Sequence, residues 1–100
     1  MRNVVVSKTA AAKLDNLLHY LETEWSENVK QRFIATLDTS LKQVSKYPHS
    51  FERSQMKPEL HRCVVTRQTS IFYTFDEHRI YIVTLFDNRM NSRKLKKQTK

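Results

Sequence analysis

The 100-residue chain contains no glycine. Average usage would place about seven in a chain this long. Glycine lets a backbone take positive φ in a tight turn at no steric cost, so every turn here has to be closed by other residues. The chain also cannot build the glycine-rich loops through which backbone amides approach a phosphate. P-loops and dinucleotide fingerprints are therefore excluded. Chemistry or binding has to rest on side chains rather than on backbone amide nests.

The length suits one domain with one core, spanning residues 1–100. Hydrophobic residues make up 39% and charged residues 28%, as in a compact globular fold. The single cysteine, Cys63, rules out an internal disulfide framework and a multi-cysteine metal site. His19, His49 and His78 lie in different segments without ligand spacing, so neither a metal nor another cofactor is expected. No apolar run approaches the ~20 residues of a membrane span. The segment Met1–Ser7 is too short for a signal peptide, which makes the cytoplasm the expected location.

The formal net charge is +8, and it is uneven. Residues 1–50 hold seven Lys/Arg against five Asp/Glu, whereas residues 51–100 hold eleven against five. From Arg89 onward there are six bases and no acidic side chain. Such a surface attracts polyanions by counterion release, or an acidic protein by complementary charge.

Hydrophobic period divides the chain. Val4–Val6 is a short β-branched run and predicts a strand. Ser7 or Thr9 can cap a helix in which Ala10, Leu14, Leu17, Leu18, Leu21 and Trp25 recur at helical spacing. Ser26 can cap a second helix, with Glu27 suiting its dipole. Val29, Phe33, Leu37, Leu41 and Val44 form its stripe, Ile34 widens it, and Pro48 stops it. Two helices joined this tightly fold back as a hairpin. After a polar loop over residues 48–59, three β-rich runs follow: Leu60–Thr66, Ser70–Phe75 and Arg79–Phe86. Their short separators predict an antiparallel meander. The last run is apolar on both sides, which predicts a central strand covered on both faces. The order is β-α-α-β-β-β. The expected class is α+β, a helical hairpin on one face of a mainly antiparallel sheet, with a basic tail over 89–100.

This order resembles the RelE/ParE superfamily of type II toxin–antitoxin toxins. The matching stretches are Val4-Val5-Val6-Ser7 and the helix start Thr9–Leu14, Arg62 in the first meander strand, and Ser70-Ile71-Phe72-Tyr73. The final strand with the arginine beyond it, Ile80–Arg89, completes the match over about residues 2–95. The resemblance implies a cytoplasmic toxin held inactive by a cognate antitoxin, whose acidic segment wraps basic and apolar grooves, in a possible toxin–antitoxin hetero-oligomer. Two targets occur in the superfamily. RelE-type members cleave mRNA on the ribosome without a metal, and ParE-type members inhibit DNA gyrase and cleave nothing.

Metal-free RNA cleavage needs a base for the 2′-hydroxyl, a cation for the phosphorane and an acid for the leaving oxygen. At the positions where RelE-like nucleases carry basic residues, this chain has His61, Cys63 and Ser70. After Arg89 it has Met90, Asn91 and Ser92 rather than an aromatic or His–Tyr tail. The resemblance thus favours the ParE-like branch, a gyrase inhibitor. Arg62 and Arg89, with His61, are the catalytic candidates only if the protein is a nuclease. Arg62, Arg67, Tyr73, Arg89, Arg93, Lys94 and Trp25 are the candidates for contacting the target or antitoxin. Each has a plainer alternative. Arg89 can bridge to Asp87 or Glu77, Arg62 can form a structural ion pair, and Arg67 can be a solvated turn residue. Tyr73 can be core with a wet hydroxyl. Trp25 can be core at the hairpin turn, and a lone His61 is ordinarily surface decoration.

Overall fold

The computed structural model describes residues 2–89. It runs β1 (Asn3–Val6), α1 (Lys8–Glu24), α2 (Glu27–Lys46), β2 (His61–Val64), β3 (Thr69–Phe75) and β4 (Arg79–Asp87). A 3-10 turn at Pro48–Ser50 follows α2. The sheet order is β1-β4-β3-β2. β2, β3 and β4 form the antiparallel meander, and β1 joins β4 in parallel, Val4 opposite Ile80 and Val6 opposite Ile82. The helical hairpin is the crossover that a parallel pair requires. The α+β class and the β-α-α-β-β-β order agree with the sequence expectation.

Both helices begin on serines. Ser7, not Thr9, caps α1: its side-chain oxygen accepts from the Ala10 amide, and its hydroxyl donates to the Val83 carbonyl at 2.7 Å. The cap therefore also ties α1 to the central strand. Ser26 caps α2 by accepting from the Val29 amide. Ala10, Leu17 and Leu21 of α1 and Phe33 and Val44 of α2 are buried with Cys63, Val65, Ile71, Tyr73, Ile80, Ile82 and Leu85 in one core. Ile34 stays 37% exposed and does not widen the buried stripe. Trp25 is 59% exposed, so the core placement at the turn fails. The reason is local: the amides of Trp25 and Ser26 both donate to the Leu21 carbonyl, which closes α1 and swings the indole outward.

β4 is central, but not because both faces are covered. A β-bulge interrupts its pairing with β3: Phe72 lies opposite Thr84, yet Tyr73 lies opposite Ile82, leaving Val83 as the extra residue. The parity of inward residues therefore switches along the strand. Ile80 and Ile82 point to the core before the bulge, and Leu85 and Asp87 after it. Phe86 is 42% exposed on the outer face. What the sequence presents as two apolar faces is one apolar face shifted by a residue.

The turns solve the glycine problem with side-chain oxygens. No described residue has positive φ. Between β3 and β4, one carboxylate oxygen of Asp76 accepts from the amides of His78 and Arg79 at 2.8 and 2.9 Å. Between β2 and β3, the Thr66 hydroxyl accepts from the amides of Gln68 and Thr69. Both are side-chain mimics of a backbone turn.

Candidate functional site

The sheet carries different chemistry at its two ends. At the end where β2 turns into β3, β4 finishes in Asp87 and the chain passes through Asn88 to Arg89. The Asn88 amide donates to the Gln68 carbonyl at 2.9 Å, which fastens this exit to the β2–β3 turn. Asp87 is buried, and its oxygens accept from Arg89 three times: from the backbone amide at 2.9 Å, Nε at 3.2 Å and Nη2 at 3.0 Å. The hydroxyl of Thr69, the residue paired with Asp87 across the strands, donates to the same carboxylate. Burial pushes the Asp87 carboxyl up, but the hydrogen bonds and charge of Arg89 outweigh it and hold the carboxyl below its ordinary value. Arg89 is thus locked in a bidentate fork with Nη1 left over. It bridges to Asp87 rather than to Glu77, so the structural role open to it is filled at this end of the sheet.

A shallow open groove of about 170 Å³ lies beside this fork. Its walls are Arg32, Phe33 and Val29 from α2, and Thr66 and Gln68 from the turn, with Arg89 at one side. Among the described residues, the Arg32 guanidinium has no ion-pair or hydrogen-bond partner. Arg32 is not among the sequence candidates. The available signal is its place next to Phe33, which puts it on the border of the buried stripe.

At the opposite end, where β3 turns into β4, aromatic rings cluster, with the Arg2 guanidinium 5.5 Å over the Phe75 ring. His61 stacks on Tyr73 with centroids 5.4 Å apart and lies 5.2 Å from Phe75, which His49 also meets edge-on at 4.7 Å. His61 is 9% exposed, so the surface placement is wrong. It alternates inward with Cys63 because β2 presents every second residue to the core. Its Nδ1 is buried without a hydrogen-bond partner among the described residues. Burial lowers the His61 pKa below its usual value, helped by the positive charge of Arg53 and by His49. Tyr73 is fully buried, and its hydroxyl donates to the Pro48 carbonyl at 2.8 Å. Its hydroxyl is neither wet nor offered to a phosphate, and burial pushes the phenol far up.

The remaining candidates fall between or outside these ends. Arg62 is exposed on the outer face, where Nε donates to Ser70 at 3.3 Å and Nη1 lies 3.6 Å from Glu52. Arg67 is exposed at the tip of the β2–β3 turn. Arg93 and Lys94 lie outside the described residues. His61 and Arg89 do not converge. Tyr73, the partner of His61, stands four residues along β3 from Thr69, the partner of Asp87, which is about 13 Å of strand. Among the described residues, no group of three His, Cys, Asp or Glu could hold a metal ion. No helix there is long and apolar enough to cross a membrane.

Known proteins share this fold. The fold is similar to that of a chromosomal ParDE toxin–antitoxin system from P. aeruginosa, with a TM-score of 0.69 and 17% identity, covering 87% of this chain and 96% of that one. It is also similar to a copper-bound mutant toxin from Helicobacter pylori, at a TM-score of 0.58 and 12% identity over 90% of this chain and 98% of that one. YafQ from E. coli matches at a TM-score of 0.52 and 12% identity, over 91% and 98% of the two chains. At these identities the likeness shows the fold alone. No curated protein matches the sequence. Residues 4–92, however, match the family described as the ParE toxin of the type II toxin–antitoxin system parDE, and on that match the chain belongs to the ParE toxin family.

Proposed function

We propose that this toxin inhibits DNA gyrase by protein–protein contact, cleaves no nucleic acid itself, and is neutralised by an antitoxin whose acidic segment covers its basic surface. The observation that carries this is the placement of the proton-moving groups. Ribonuclease chemistry without a metal needs an accessible base and an accessible acid beside the cation that steadies the phosphorane. Here His61 is packed inside an aromatic cluster that lowers its pKa, and the Tyr73 hydroxyl is committed to Pro48. Arg62 and Arg89 are the remaining members of the catalytic set, and arginines bind and polarise but move no proton.

The contact residues are Arg62, Arg67, Arg89 and Trp25, with Arg93 and Lys94 extending the basic surface. Trp25 fits a partner best, because a half-bare indole at a helix turn is an anchor awaiting a pocket. The P. aeruginosa relative is described as part of a ParDE toxin–antitoxin system, which agrees with an antitoxin partner here. Gyrase as target places the protein in the cytoplasm.

The test is expression without an antitoxin, following plasmid supercoiling and mRNA 5′ ends together. Lost supercoiling with intact mRNA is the expected result. Ribosome-phased mRNA cuts with normal supercoiling would assign the RelE-like nuclease activity instead.

A further inference from the structure

We infer that the turn between α1 and α2 grips the toxin's target, and that it fits a Lys- and Arg-lined protein surface with an apolar pocket for Trp25. This rests on the gyrase reading and deepens it: Trp25 belongs to the target and not to the antitoxin.

The turn is built to present the indole. The amides of Trp25 and Ser26 both donate to the Leu21 carbonyl, and Ser26 then caps α2, so the backbone on either side of the ring is fixed. Residues 22–28 are all exposed, and Trp25 is the one large apolar side chain among them. A solvated turn needs no tryptophan. A ring held outward by its own backbone loses little freedom when a partner covers it, and the indole N–H adds one directed donor.

The charge around the ring is opposite to that of the rest of the chain. Residues 14–29 hold four acidic side chains, Asp15, Glu22, Glu24 and Glu27, and no Lys or Arg, in a chain of net charge +8. Lys30 answers two of them, its ammonium lying 3.2 Å from Glu22 and 3.1 Å from Glu27. One ammonium shared between two carboxylates leaves the group negative. Hydrogen bonds from Gln31 and then Lys30 hold the Glu27 carboxyl below its ordinary value.

Charge complementarity decides the occupant. Nucleic acid and anionic lipid are repelled by these carboxylates. An acidic antitoxin segment meets like charge here and is drawn to the arginines instead. A second copy carries the same excess of +8, which keeps copies apart. A basic protein surface satisfies the carboxylates, and an enzyme that handles DNA carries such surfaces, because Lys and Arg neutralise the phosphates. The turn and the Arg89 end are thus complementary to surfaces of opposite charge.

Trp25 is the only tryptophan, so labelling with 5-fluorotryptophan gives the full chain a single fluorine NMR resonance. Unlabelled purified gyrase is expected to shift or broaden it, less so at high salt, whereas a poly-Glu peptide leaves it in place. On immobilised gyrase, Trp25→Ala weakens binding by roughly tenfold or more, and Thr23→Lys by roughly fivefold or more. Thr39→Lys is the matched control and changes binding by less than about twofold. Both threonines are exposed, and both hydroxyls donate to the carbonyl four residues back. A resonance that gyrase leaves unmoved while supercoiling is blocked would overturn the turn as the contact and leave the gyrase reading standing. Tighter binding by Thr23→Lys would overturn the basic surface. A resonance that moves with poly-Glu would return Trp25 to the antitoxin, and one that moves with the chain's own concentration would give it to a second copy; either overturns the inference. A wild-type chain that neither binds nor inhibits gyrase removes both readings.

Discussion

The two ends of the sheet hold polar side chains in opposite ways. At the β2–β3 end, cations face solvent and a buried carboxylate aims one of them. At the β3–β4 end, an imidazole and a phenol that could transfer protons are packed among rings and deprived of water. The difference separates binding from catalysis. A nuclease has to bring its base, acid and cation to one phosphate, whereas a chain that only grips a partner can leave its titratable groups in the core. On the proposed reading, the histidine end serves the fold and the arginine end serves the partner.

Substitutions that remove this division make it measurable. Asp87→Ala is the largest. It strands the Arg89 guanidinium and the buried Thr69 hydroxyl, and unfolding in urea is expected to shift by about 2–3 kcal/mol, below the full value for a buried pair because Arg89 is partly solvated. Arg89→Ala costs a comparable amount, because it leaves the buried Asp87 carboxylate without its cation, and it also loses function; the two variants measured together separate aiming from folding. Next comes Tyr73→Phe, which deprives the Pro48 carbonyl of its donor and costs about 1–1.5 kcal/mol in the same measurement, with toxicity unchanged where the variant remains folded. Equal loss of supercoiling inhibition in folded Tyr73→Phe would move the histidine end into the functional surface.

The pH dependence follows the same line at smaller scale. His61 has a lowered pKa in the folded state, so the unfolded chain binds its proton more readily. Stability from this group is therefore fully present above the ordinary value of 6.5 and declines as pH falls below it, until the native pKa is passed. His61→Phe flattens the stability profile in that window. Asp87 also has a lowered pKa, so its contribution is present above the ordinary carboxylate value of 3.8 and is lost as pH falls through the lower native one. Thermal melting across pH resolves the two steps. The smallest effect belongs to Trp25→Ala, which changes stability by less than about 0.5 kcal/mol because the indole is mostly solvated, and reads out instead in partner affinity.

Much of this is legible in the residues. The strand, the hairpin and the meander follow from β-branched runs, helical spacing and serine caps, all local signals. Three features are not local. The bulge at Val83 makes β4 read as apolar on both faces, because a parity switch and a doubly buried strand give the same alternation. His61 reads as surface decoration because its burial depends on where the Pro48–Arg53 segment and Phe75 pack, across gaps of many residues. Arg32 carries no signal of its own, because a cation beside a buried phenylalanine on a helix becomes part of a site only when the β2–β3 turn is laid against it. The absence of glycine, by contrast, is decisive at once: Asp76 and Thr66 close the turns with side-chain oxygens, and no described residue takes positive φ.

Purified gyrase, supercoiling a relaxed plasmid in the presence of the full chain, tests the division most directly. The account predicts that the chain blocks supercoiling, that Arg89→Ala relieves the block, and that folded His61→Phe preserves it. Undisturbed supercoiling by the wild-type chain, together with mRNA cleavage on translating ribosomes that His61→Phe abolishes, would contradict it.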